Sequence, residues 1–175
     1  MPLRAISRDQ RFRVLFVEDS PEDAELLQMQ LEDAGLRADF LRVDDEASLR
    51  DALDSFHPDI VLSDLAMPGF SGHEALRIVR EHSPRLPFIF VSGTMGEDVA
   101  VQALHEGAND YILKHSNARL PAAVDRALRE ARTEAERARA EAELMRSQRL
   151  ESLSLLAAGL SHDLRNILQP LLIVP

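Results

Sequence analysis

At 175 residues the chain can hold one domain of ordinary size plus an extension, and its 45% apolar content is enough for a core. It has no Cys, which excludes disulfides and thiolate metal sites and suits a reducing cytoplasm, the expected location. Its net charge of −10 is uneven: residues 1–120 carry 12 Lys+Arg against 22 Asp+Glu, whereas residues 121–175 carry eight of each. The first part therefore lacks the basic footprint of a nucleic-acid binder.

Apolar runs such as Leu153–Leu160 fall short of the roughly 20 residues that span a bilayer, so no membrane partner is expected. The opening stretch has no apolar core of a secretory signal, and residues 1–11 read as a flexible lead-in.

Phe12–Val17 predicts a strand, followed at once by Glu18 and Asp19. Ser20-Pro21-Glu22-Asp23 then opens a helix, with Ser as N-cap, Pro at the first helical position and Asp23 completing a capping box. Gly35 is its C-terminal stop. Asp39–Val43 predicts a second strand, and Ala47–Phe56 a second helix with apolar residues at helical spacing.

The run Ile60-Val61-Leu62 predicts a third strand buried on both faces, delivering Asp64 just before the turn at Pro68-Gly69. A capping box, Ser71-Gly72-His73-Glu74, starts the third helix. Pro87–Val91 predicts a fourth strand ending in Ser92-Gly93, and Thr94 through Glu97 caps a fourth helix. Tyr111-Ile112-Leu113, after a turn at 107–110, predicts a fifth strand ending in Lys114. Five alternations of strand and helix within about 120 residues argue an α/β doubly wound parallel sheet with helices on both faces.

Alone, Asp64 is an ordinary cap or turn residue. In a parallel sheet, however, all strand ends lie along one edge, so Glu18, Asp19, Asp64, Ser92 and Lys114 converge on one crevice. Crowded carboxylates repel unless a cation sits among them, and hard oxygen ligands suit Mg²⁺. Asp64 can then act as a nucleophile towards phosphorus, forming an acyl phosphate. Ser92 can donate to a phosphoryl oxygen and Lys114 can neutralise another. Lys114 is the chain's one lysine among 20 Lys+Arg residues, which points to a site that a planar guanidinium does not fit.

Glu18-Asp19, Asp64 with Met67-Pro68-Gly69, Ser92-Gly93, and Tyr111 with Lys114 resemble, in order and spacing, the receiver domain of two-component response regulators over residues 12–120. The resemblance implies a five-stranded sheet of flavodoxin-like order 2-1-3-4-5. It implies that Asp64 accepts a phosphoryl group from a phosphohistidine donor, a cognate kinase or regulator. Asp19, Asp64 and the Ala66 carbonyl would hold Mg²⁺, with Glu18 acting through water. Ser92 and Tyr111 would be the switch residues. Two departures stand out: Glu18 replaces the commoner Asp, and His115 replaces the Pro that often follows the lysine, so no cis peptide bond is expected there.

From Pro121 onward no strand signal remains. Val124, Leu128, Ala131, Ala135, Ala138, Ala142 and Met145 form one seam at threes and fours, and Leu150, Leu153, Ala157, Leu160, Leu164, Ile167, Leu171 and Val174 form a second. A one-position phase shift separates them, as a stutter would. A continuous helix would be about 80 Å long at 1.5 Å per residue. It predicts a coiled-coil homodimer through residues 121–174, with 121–149 an extended signalling helix. Its balanced Glu/Arg surface reads as solvated, not as a nucleic-acid arm.

With Leu160 and Leu164 at d and a, His162 falls at f, facing away from the partner. Asp163 is placed to orient or deprotonate its ring, and Asn166, one turn on, to position a water. Leu156 through Asn166, with Pro170 beyond, is similar to the phosphoacceptor box of histidine kinases, which implies that His162 is a second phosphoacceptor. Pro170 predicts a kink. Residues 150–175 then read as a truncated phosphoacceptor helix. Lacking any Gly-rich nucleotide lid, the chain is expected not to phosphorylate itself from ATP.

The leading expectation is the receiver and signalling helix of a hybrid histidine kinase. A receiver-type binding module whose helix merely dimerises and docks a partner is the alternative. A more remote one is an aspartyl-nucleophile phosphatase of the haloacid dehalogenase type, although Ala66 fills the second slot of its Asp-x-Asp pattern.

Overall fold

The structure is a computed structural model that describes residues 11–93, 96–116 and 119–168. Ten elements alternate: β1 (Phe12–Val17), α1 (Pro21–Asp33), β2 (Ala38–Val43), α2 (Glu46–Ser55), β3 (Ile60–Ser63), α3 (Gly72–His82), β4 (Phe88–Ser92), α4 (Glu97–His105), β5 (Asp110–Leu113) and α5 (Arg119–Leu168). The strands form one parallel sheet of order β2-β1-β3-β4-β5, as expected.

Alternation along the strands explains the two layers of core. On β1, Val14 and Phe16 face one cluster with Leu27 and Leu31 of α1 and Val124 and Leu128 of α5. Leu15 and Val17 face the other, with Leu49 of α2, Leu76 of α3 and Ala103 of α4. Successive side chains point to opposite sides of a strand, so a strand covered on both faces is apolar on both. All four residues of β3 are buried: Ile60, Val61 and Leu62 are apolar, and the Ser63 hydroxyl is satisfied by donating to the Asp64 carbonyl at 2.8 Å. Each large side chain in these layers is worth about 1.5–3 kcal/mol of burial.

The helix starts follow local chemistry. Ser20 caps α1 by accepting from the Asp23 amide, and Ser71 and Glu74 form the reciprocal box at α3. The expected starts of α2 and α4 shift. Asp45, whose carboxylate accepts from the Ser48 amide, caps α2, which begins at Glu46, one residue before Ala47. α4 is capped by Gly96 with no side-chain bond, and Thr94 lies outside the described residues. β2 begins at Ala38 and β5 at Asp110, one residue earlier than the apolar runs suggest.

The chain divides into two compact units, residues 1–132 and 133–175. In the first, the beginning of α5 contributes Leu120, Val124 and Leu128 to the core. In the second, the described residues are helical, and Leu150, Leu153, Leu160 and Leu164 of the expected seam are more than half exposed. Residues 1–10 of the lead-in, the kink at Pro170 and the seam end at Leu171 and Val174 fall outside the described residues. No described peptide bond is cis. Among the described residues, no helix is long and apolar enough to cross a membrane.

Candidate functional site

The carboxyl ends of β1, β3, β4 and β5 bring the expected residues together. β1 delivers Glu18, whose amide donates to the Val43 carbonyl at 2.9 Å, extending the pairing of β1 with β2. β3 delivers Asp64, tied by its amide to the Val17 carbonyl at 2.9 Å. Lys114 follows β5, and its amide donates to the Ser92 carbonyl at 2.8 Å. Main-chain bonds thus tie the end of β1 to those of β2 and β3, and the end of β5 to that of β4, before any side chain contributes.

The turn after β3 fixes the aspartate. Asp64 Oδ1 accepts from the amides of Leu65 at 2.6 Å and Ala66 at 3.4 Å. Gly69 sits at φ 76°, a left-handed conformation that a Cβ would penalise. Gly72 then brings the chain back against the aspartate, donating to the Leu65 carbonyl at 3.0 Å.

Lys114 is the hub of the site. Its Nζ lies 2.8 Å from Asp64 Oδ2, 2.8 Å from Glu18 Oε2 and 2.5 Å from Asp23 Oδ2. Burial opposes its charge, but the bonds to Asp23, Asp64 and Glu18 outweigh that and raise its pKa above the usual lysine value. Burial pushes the Glu18 carboxyl up, an effect only partly offset by Lys114 and the Ser20 amide.

Asp23 is the residue that sequence reasoning placed wrongly. Its expected role in a capping box is absent, because the Ser20 amide donates instead to Glu18 Oε1 at 3.2 Å. That leaves the Asp23 carboxylate to reach across to Lys114, 91 positions away. Nothing in the local pattern signals this, since an acid at the third helical position is an ordinary cap.

Carboxylate oxygens of Glu18, Asp19 and Asp64 lie within 4.8 Å of one another. Glu18 Oε2 is fully buried, and its ion pair with Lys114 lies outside hydrogen-bond geometry. Three hard oxygen donors, one of them buried without a hydrogen bond, fit a cation of the Mg²⁺ kind. Ala66, the fourth expected ligand, lines the same cavity of about 360 Å³ as Asp23, Asp64, Ser92, Lys114 and His115.

Ser92 is buried at the end of β4. Tyr111 is partly buried against the core layer that contains Phe88 and Phe90. His162 and Asp163 lie elsewhere, in the second unit, where His162 Nδ1 is 3.5 Å from Asp163 Oδ1 and both side chains are about three-quarters exposed. Asn166 belongs to α5.

A parallel sheet of order 2-1-3-4-5, with an acidic cluster and one lysine at its carboxyl edge, matches a known class. The model of the response regulator receiver domain family matches residues 14–125, and the chain belongs to that family. Among curated proteins it is similar to the C4-dicarboxylate transport transcriptional regulatory protein DctD of Pseudomonas aeruginosa, at 37% identity, over 61% of this chain and 22% of that protein. It is also similar to the DNA-binding transcriptional regulator NtrC of Escherichia coli, at 35% identity, over 60% of this chain and 22% of that protein. The chain thus spans about a fifth of the length of these relatives. Among solved structures, the receiver domain of a Luxo repressor protein from Vibrio parahaemolyticus superposes with a TM-score of 0.64 at 26% identity. That match covers 71% of this chain and 95% of the other. The signal receiver domain of NarL from Mycobacterium tuberculosis gives 0.59 at 27% identity, covering 69% and 98%.

Proposed function

We propose that Asp64 is the phosphoacceptor of this receiver and that its state controls a dimeric helix carrying a second phosphoacceptor, His162, within a hybrid histidine kinase. The observation that carries the first half is the triple contact of Lys114 with Asp64, Glu18 and Asp23. A single ammonium is placed to neutralise charge beside the one carboxylate that the turn after β3 presents.

In the transfer, an Asp64 carboxylate oxygen attacks the phosphorus of a phosphohistidine donor. The O–P bond forms, the N–P bond breaks, and the released imidazole takes up a proton from water. Lys114 neutralises one phosphoryl oxygen and the Ser92 hydroxyl donates to another. Glu18, Asp19, Asp64 and the Ala66 carbonyl would hold Mg²⁺, which supplies charge neutralisation for the transferring group. Engagement of Ser92, followed by Tyr111, would then repack the surface formed by α4, β5 and the start of α5.

The similarity of Leu156–Asn166 to a phosphoacceptor box, together with the exposure of His162, supports the second half. Incubation with a phosphorylated kinase, or with acetyl phosphate, is expected to give a base-labile acyl phosphate that Asp64→Asn abolishes. Phosphate arriving on His162 from a separate ATP-binding domain, lost in His162→Gln, tests the helix. Cysteine crosslinks along residues 133–165 that do not respond to beryllofluoride, a phosphoryl mimic, would defeat the coupling.

A second reading makes the chain a binding module whose helix dimerises and docks a separate output partner. The names of the curated relatives favour it, since DctD and NtrC are transcriptional regulators. A normal His162→Gln protein supports this reading over the first.

A further inference from the structure

We propose that Asp23 is a positioning residue for phosphoryl transfer, competing with the incoming phosphoryl group for the Lys114 ammonium and so weakening the site's hold on anionic phosphodonors. The inference rests on the phosphoacceptor reading of Asp64.

A lysine ammonium has three N–H donors and no acceptor. Here Asp23 and Asp64 accept hydrogen bonds from Nζ at 2.5 and 2.8 Å, and Glu18 Oε2 pairs with it at 2.8 Å outside hydrogen-bond geometry, so three carboxylates crowd one ammonium. A phosphoryl oxygen that takes Lys114 competes with these three, and one of them gives way. Glu18 is the wrong one to leave, because its side chain is 2% exposed and has no path into water. Asp64 is itself the acceptor in this reading, and on forming the acyl phosphate its carboxylate loses its charge. Asp23 differs from both. Its side chain is 43% exposed, in the first turn of α1, at the rim of the cavity that holds Asp64 and Ser92.

Asp23 can swing into water at little cost, but its negative charge stays at the mouth of the pocket. There it repels a doubly charged donor and draws the ammonium away from it. Neither effect touches the reacting atoms, so both belong to binding rather than to the chemical step.

The test uses the whole chain with Mg²⁺ and acetyl phosphate as probe, over a range of salt concentrations. Asp23→Asn is expected to lower the half-saturating acetyl phosphate concentration about fivefold, the scale of one unit charge removed at about 4 Å in water. The maximal rate should stay within about twofold, the signature of altered binding alone. The gain should shrink as salt rises. Asp23→Glu, which keeps the charge, should behave as wild type. An Asp23→Asn protein with unchanged or weaker donor affinity, or one altered only in maximal rate, overturns the inference while wild-type uptake leaves the phosphoacceptor reading intact. Wild-type protein that takes up no phosphate overturns both.

Discussion

Gly72 is pressed against Asp64 so closely that a Cβ on the glycine would lie 2.3 Å from the Asp64 carbonyl oxygen. The same Cβ would meet the ring of Phe90 at 2.8 Å. Gly72, the first residue of α3, thus packs against both the Asp64 main chain and the Phe90 ring of β4. Any side chain at position 72 must push the loop that carries Asp64 outward.

Gly72→Ala should therefore destabilise the first unit by about 1–3 kcal/mol, the range for forcing atoms into packed space. It should also weaken beryllofluoride binding, because the Asp64 carboxylate moves with its main chain. Chemical denaturation and a beryllofluoride titration of the same protein check both outcomes.

Removing the lysine should expose how the acids are held. Lys114→Ala leaves Glu18 buried without its counter-ion and should cost about 3 kcal/mol in the absence of divalent cations. Mg²⁺ should then restore more stability to the variant than to wild type, since both cations answer the same carboxylates. Lys114→Arg should not rescue phosphoryl uptake, because a planar guanidinium cannot place three donors around one nitrogen. Thermal melts with and without Mg²⁺ read the first effect, and phosphoryl uptake reads the second.

The α3 capping box predicts a pH dependence. The Ser71 amide and hydroxyl donate to Glu74 Oε2 at 2.8 and 2.9 Å and hold its carboxyl below the usual 4.5. The unfolded chain thus binds this proton more tightly, so the stabilisation is full above pH 4.5 and is lost as pH falls through the lower folded value. The stability gap between wild type and Glu74→Ala should be wide at neutral pH and narrow at pH values below that range. Ser71→Ala, which removes the bond to the Glu74 amide, should cost about 1 kcal/mol at neutral pH.

In the second unit, Leu153 and Leu160 are 57% and 64% exposed. If they line a dimer seam, the double variant Leu153→Asp, Leu160→Asp should sediment as a monomer where wild type sediments as a dimer. A monomeric wild type at micromolar concentration would remove the seam.

The sheet was legible because β1, β3, β4 and β5 carry short apolar runs that end in chemically distinctive residues. Asp64 after Ile60-Val61-Leu62 and Lys114 after Tyr111-Ile112-Leu113 could be placed from neighbours alone, since parallel strands must end along one edge. Asp23 could not. Its immediate neighbours describe a capping box, and only the position of Glu18, whose carboxylate claims the Ser20 amide, frees it for Lys114. Gly72 was hidden in the same way, read as an unremarkable member of the box that starts α3. Asp45 was passed over because the apolar stripe of α2 begins after it, whereas a cap acts before the stripe. Local patterns report what one segment does for itself and are silent on what it does for a distant one.

The sole lysine has a practical consequence. With one side-chain amine in 175 residues, a lysine-specific protease has a single bond to cut, Lys114–His115, and acetylation has a single side-chain target. That amine is 13% exposed and bound by three acids. Cleavage or labelling at this position therefore reports the loosening of the carboxylate cluster around Lys114, with no background from another lysine in these 175 residues.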